Sequence, residues 1–262
     1  MAAASSSSSA AGDPDIRPVG EVPTKLIDQF VKYPGDDYTK GWADLWERDF
    51  LPWDRGQSSP ALADALRALV PGCGRGYDVL LLESFGYDAV GLDVSEGAVR
   101  AALKDGKAGK GSHKFVLGDF YKNDFLAELG LADGGPFDLI YDFTFFCAMK
   151  PAMRPAWAQR MSELLAESPS ARLVCLEFPS QKPPSAGGPP HASPSEAYLE
   201  HLSHPGEEVA YDEAGKVKPN PLAAPNPAAL ERIGHWHPAD THPMGKDESG
   251  NVQDYISVWR HR

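Results

Sequence analysis

The sequence predicts an α/β protein built on a mostly parallel sheet with helices on both faces, and three observations carry that prediction. Short apolar runs alternate with segments of helical spacing between Ala68 and Phe178. The apolar runs are close to continuous, as in strands buried on both faces. A glycine cluster, Gly72-Cys73-Gly74-Arg75-Gly76, joins the first such run to the first helix after it.

The elements follow in order. Ile27 to Phe50 has roughly helical spacing, interrupted by the turn signal Pro34-Gly35-Asp36, and a loop from Leu51 to Gly56 follows. Pro60 opens a short helix through Leu66. Ala68 to Pro71 reads as a strand, Tyr77 to Phe85 as a helix, and Asp88 to Leu92 as a second strand. Ser95 is placed to cap a helix running to Lys104. Lys114 to Leu117 and Phe137 to Tyr141 are strands three and four, Arg154 to Leu165 is a helix, and Ala171 to Phe178 is strand five. Beyond Phe178 the alternation fails. Gln181 to Asn226 is rich in proline, glycine and charge, with one helical stretch from Ser193 to Leu202, and Tyr255 to Trp259 reads as a last strand.

Composition narrows the class of function. The 262 residues suit one α/β domain, preceded by an Ala/Ser-rich tail over residues 1–20 that cannot bury enough surface to fold. A formal net charge of -12 opposes phosphate binding, so nucleic acid is not the expected partner. No apolar run approaches the roughly 20 residues of a membrane-spanning helix. Cys73, Cys147 and Cys175 are far apart in apolar segments, as expected of reduced thiols in a cytoplasmic protein.

The glycine cluster lets the backbone turn tightly beside a helix N-terminus with free N–H groups. A dinucleotide fingerprint beginning at Gly72 needs its third glycine at position 77, which is Tyr77. Gly72-x-Gly74-x-Gly76 resembles instead the loop of methyltransferases dependent on S-adenosylmethionine (SAM). Asp93 ends the second strand, where a carboxylate can accept hydrogen bonds from both hydroxyls of a ribose. Asp119 and Phe120 end the third, where one can accept from an adenine amino group and the other flank the ring. All lie on the rim where open α/β sheets bind ligands.

On these residues the chain resembles the thiopurine S-methyltransferase superfamily, and within it the thiol, thiocyanate and halide methyltransferases of plants and fungi. The resemblance is carried by Trp42–Arg55 (WADLWERDFLPWDR), Leu69–Asp78 (LVPGCGRGYD), Gly91–Ser95 (GLDVS) and Phe137–Trp157 (FDLIYDFTFFCAMKPAMRPAW). It implies a Rossmann-like class I fold with a seven-stranded, mostly parallel sheet and SAM as methyl donor. The domain spans residues 21–262, with an N-terminal flap over 21–60 and a variable acceptor-side insertion at about 181–226. It also implies that Trp42, Trp46 and Trp53 line the SAM site from the flap, where an indole face attracts a sulfonium cation. Tyr141 and Phe143 are expected to help wall the pocket, Tyr141 beside the cofactor and Phe143 beside the reacting groups. Many plant relatives carry tyrosine at the position of Phe143.

Asp142 is expected to point between donor and acceptor or to serve as a structural cap. Arg154 is expected to hold an anionic acceptor or to stand solvated at a helix start. Cys147 reads as a buried structural thiol. His235, His237 and His242, with Asp240, match no standard zinc spacing and read as a surface or pocket-edge loop, with no metal expected. The expected activity is methyl transfer to a small thiol, hydrosulfide, thiocyanate or halide by a monomer. The alternatives are O- or N-methylation of a small metabolite, or SAM binding without catalysis.

Overall fold

In a computed structural model of the chain, the described residues are 31–33, 38–48, 66–105, 112–131, 135–220, 224 and 226–262. The chain divides into two units, Met1–Ser58 and Ser59–Arg262. In the first, α1 spans Tyr38–Glu47 and places Trp42 and Trp46 one turn apart. Their side chains, Trp53 and all but Leu66 of the helix expected from Pro60 to Leu66 lie outside the described residues.

The second unit carries a seven-stranded sheet in the order β3-β2-β1-β4-β5-β7-β6. The parallel strands are β1 (Arg67–Pro71), β2 (Asp88–Asp93), β3 (Ser112–Leu117), β4 (Leu139–Phe143) and β5 (Arg172–Glu177). β6 (Leu230–Trp236) and β7 (Tyr255–His261) close the far edge, β7 running antiparallel to both neighbours. Strand order reverses direction at β1, next to β4, so the loop after β1 opens at the switch point of the sheet.

Side-chain alternation along the strands builds a core on each face. On one face Leu69, Ile140, Leu173 and Trp259 pack with Trp157, Met161 and Leu164 of α5 (Arg154–Leu164). On the other, Val70 and Ala89 meet Val79 of α2 (Tyr77–Ser84), with Tyr141 and Phe115 partly buried against them. Each large apolar side chain removed from water contributes about 1.5–3 kcal/mol.

Local signals explain the remaining helices. Ser95 caps α3 (Glu96–Asp105), its Oγ accepting from the Ala98 N–H at 3.4 Å. Pro155 occupies the first turn of α5, where its missing N–H costs nothing. α6 (Ser195–Ser203) begins two residues later than its sequence signal and buries Tyr198 and Leu202 in the α5-side core.

Three differences from the sequence reading matter. Strand four begins and ends two residues later than expected, so Asp142 and Phe143 lie within it. A short helix, α4 (Asp124–Glu128), went unread. β6 did too: LERIGHW is an edge strand with a bulge between Arg232 and Gly234, mostly half-buried or exposed, and lacks a run of apolar residues.

Candidate active site

The glycine loop turns sharply because three of its residues adopt positive φ: Gly72 at 63°, Gly74 at 54° and Gly76 at 77°. At Gly72 the absence of a side chain is also a packing requirement, since a Cβ there would stand 2.5 Å from Cδ2 of Phe145. Phe145 follows β4, so this contact ties the loop after β1 to the loop after β4.

Asp93, at the tip of β2, holds the same loop from the other side. Its Oδ2 accepts from the Gly74 N–H at 3.0 Å and its Oδ1 from the Ser95 N–H at 2.8 Å. A carboxylate has about four acceptor positions, so two bonds leave capacity for ligand hydroxyls. Among the described residues, none beyond its chain neighbours comes within 4 Å of where a side chain at Gly74 would start, so the space above it is open to them. Val94, next to Asp93, is 77% exposed and offers an apolar face on the rim that the sequence reading passed over. Asp119, after β3, accepts from the Tyr121 N–H at 3.0 Å and lies 3.6 Å from Lys122 Nζ. Open space over the loop, a carboxylate with spare acceptors and an adjacent apolar surface together fit the nucleoside part of SAM. Phe120 is not an open platform. It is only 5% exposed, and its ring packs edge-on to Tyr121 and Phe145.

The pleat of β4 sorts its residues. Ile140 and Asp142 face α5, and Tyr141 and Phe143 face the other side. The expectation that Asp142 points between donor and acceptor is therefore corrected. Asp142 is fully buried, its Oδ2 accepts from Trp157 Nε1 at 2.9 Å, and its Oδ1 accepts from the Phe146 N–H at 3.1 Å. Burial pushes its carboxyl up to about 6, against the pull of these hydrogen bonds and one from the Phe145 backbone. Asp142 positions the loop after β4, which is the capping alternative.

Arg154 is also corrected, since it is not solvated. It is 2% exposed, donates through Nη2 to the Ala192 carbonyl at 2.7 Å, and lies 4.2 Å from the centroid of the Phe146 ring. Its guanidinium pins residues beyond β5 onto α5 rather than facing an open pocket.

Tyr141 and Phe143 each wall a cavity. One, of about 470 Å³, lies over Tyr141, Val174, Leu176 and Ile256 and under residues 238 to 243. The second, of about 630 Å³, is lined chiefly by Phe143, Cys147, Phe178, Pro189, Pro190 and Met244, and is a size suited to a small organic molecule. Burial pushes the Cys147 thiol up to about 12, so it stands as an inert wall residue.

Between Phe143 and Phe145 sits Thr144, with φ of 59°, a conformation that costs a β-branched residue about 1–3 kcal/mol. This strained turn aims Phe143 into the larger pocket and Phe145 onto the glycine loop.

One residue outside every motif joins the site. His242 lines both cavities, and its ring stacks on Phe143 with centroids 5.3 Å apart and planes within 2°. Of the other polar residues in its segment, His235 lies in β6, and His237 Nδ1 contacts the Asp254 carbonyl at 2.8 Å. Among the described residues no three His, Cys, Asp or Glu side chains are grouped to hold a metal ion.

The chain is similar to known methyltransferases. The family profile described as thiopurine S-methyltransferase matches residues 38–220. A probable thiol methyltransferase 2 of Arabidopsis thaliana is 35% identical over 222 residues, covering 82% of this chain and 92% of that protein. Thiocyanate methyltransferase 1 of the same plant is 36% identical over 208 residues, covering 75% and 83%. Among solved structures, a magnesium protoporphyrin IX methyltransferase from Synechocystis PCC 6803 with bound SAH superposes with a TM-score of 0.50. It is 12% identical, over 91% of this chain and 95% of that one, a likeness of fold.

Proposed function

This chain belongs to the thiopurine S-methyltransferase family and is a SAM-dependent S-methyltransferase; from that premise we propose that its acceptor is a small organic thiol held in the pocket beside Phe143. The observation that carries this reading is the three-residue stretch Phe143–Phe145. Its last ring rests on the glycine loop and its first lines the larger apolar cavity, so donor and acceptor sites share one wall.

In this reading Gly72, Gly74 and Gly76 admit the donor, Asp93 accepts from its ribose, and Asp119 from its adenine, with Val94 against the base. Phe120 fixes Phe145 from behind. Trp42, Trp46 and Trp53 join the donor site on the family resemblance alone. Bound SAM supplies an electrophilic methyl group on a sulfonium. Phe143, Tyr141 and the residues around them exclude water and align the acceptor sulfur with that methyl. The free thiols Cys73, Cys147 and Cys175 support a reducing compartment such as the cytoplasm.

An apolar cavity of about 630 Å³ favours an organic thiol over hydrosulfide, thiocyanate or a halide, because small inorganic anions leave its walls unfilled. Burying an aromatic ring is worth about 1.5–3 kcal/mol, or roughly ten- to a hundredfold in kcat/KM. The test is a panel of aryl and alkyl thiols, hydrosulfide, thiocyanate, iodide, a phenol and an amine. Thiophenol is expected to exceed thiocyanate by about tenfold or more in kcat/KM. Equal rates, or faster turnover of the inorganic ions, would overturn this choice of acceptor.

A further inference from the structure

We infer that His242 accepts the proton of the acceptor thiol. The inference rests on the thiol reading above and adds a base to it. A thiol of cysteine-like acidity has a pKa near 8.5, so at neutral pH only a few per cent of it is the nucleophilic thiolate, and less of a simple alkyl thiol. A pocket that binds the thiol gains rate by taking up its proton as it reacts, and imidazole has the matching affinity.

The position of His242 meets this need. It lines the larger pocket and lies flat on Phe143, whose ring face attracts the imidazolium once it forms. Asp78, at the first turn of α2, and Asp254, before β7, are close enough for His242 to act on both. Burial raises each carboxyl, and the positive charge of His242 pulls each back.

The segment bearing His242 is fixed. The neighbouring Thr241 Oγ1 donates to Asp254 Oδ2 at 2.6 Å, and Asp254 is almost completely buried. Among the described residues, the other titratable groups lining the same two cavities do not compete for the proton. Burial pushes the thiol of Cys147 and the hydroxyl of Tyr141 upward, keeping both protonated at neutral pH. Asp240 is tied to Lys246 at 2.6 Å, and Asp142 faces the opposite side of the sheet.

In the step so assigned, the S–H proton passes to a ring nitrogen of His242 as the sulfur's electron pair forms the new S–CH3 bond. The pair of the broken donor C–S bond stays on the donor sulfur. The products are a thioether, neutral S-adenosylhomocysteine and an imidazolium, which loses its proton to water.

The experiment compares wild type with His242→Gln and His242→Ala, using an alkyl thiol and an acidic aryl thiol already ionised at pH 7. Both variants are expected to lose about a hundredfold in kcat/KM on the alkyl thiol and to stay within about threefold on the ionised one. Activity on the alkyl thiol should return as pH rises toward that thiol's own pKa. A second readout needs no turnover: with S-adenosylhomocysteine bound, wild type should show aryl thiolate absorbance below the thiol's free pKa, and the variants should not. Equal losses on both acceptors with no alkaline return, or no loss on either, would overturn the role of His242. Failure of wild type itself to methylate any thiol would instead overturn the thiol reading on which it rests.

Discussion

Asp93→Ala should raise the dissociation constant for SAM by about a hundredfold or more, a loss of about 2.7 kcal/mol in binding. The carboxylate has two tasks at once. It accepts from the Gly74 and Ser95 N–H groups, which sets the shape of the glycine loop, and in the proposed reading its remaining acceptor positions take the ribose hydroxyls. A hydrogen bond to a charged group contributes about 1.5–3 kcal/mol, so losing loop support and ligand contacts together exceeds either alone. Asp93→Asn is expected to fall between, because its amide must turn an NH2 group toward one of the two backbone donors. Isothermal calorimetry measures both, with thermal denaturation to confirm that each variant is folded. Binding of SAM to Asp93→Ala within threefold of wild type would place the donor elsewhere.

The second large effect is expected at Asp142. Replacement by alanine leaves Trp157 Nε1 and the Phe146 N–H without their acceptor in a buried setting, at about 1–3 kcal/mol for each. Denaturant unfolding should therefore show a loss of roughly 2–6 kcal/mol. Activity should fall further than stability explains, by about a hundredfold, since the freed loop carries Phe143 and Phe145 and small displacements of aligned groups are costly. The pH dependence has a defined sign. Because the folded-state pKa of Asp142 is raised to about 6 from the ordinary 3.8, its contribution to stability is complete below about 3.9 and is lost as pH rises through 6. Asp142→Asn cannot titrate, so its deficit relative to wild type should be widest near pH 4 and narrow toward pH 7. A deficit that widens over that range would contradict the assignment.

Much of the fold was legible because parallel strands buried on both faces leave an unmistakable trace. Val-rich and Leu-rich runs such as Leu69–Val70 and Val90–Leu92 are bounded by glycine or aspartate at the rim. The meeting of Gly72–Gly76 with Asp93 was legible for the same reason, since these are strand-end residues whose place in space follows from place in sequence. β6 left no such trace, because an edge strand buries little and need not be apolar. The direction of Asp142 was hidden by the strand boundary. Beyond a strand end it would be free to turn into the crevice, whereas within β4 the pleat fixes it toward Trp157. His242 was harder still. It lies about a hundred residues beyond Phe143, and the two meet only because β7 returns antiparallel beside β5 and carries the preceding loop over the rim.

The most direct test of sulfur methylation uses one acceptor that offers the enzyme a choice. Wild type would be incubated with trideuteromethyl SAM and 4-mercaptophenol, which carries a thiol and a hydroxyl, and the product fragmented in a mass spectrometer. The trideuteromethyl group is expected on sulfur alone, with product formation at limiting SAM lowered about a hundredfold in the Asp93→Ala reaction. A label on oxygen, or as much product from Asp93→Ala as from wild type, would contradict it.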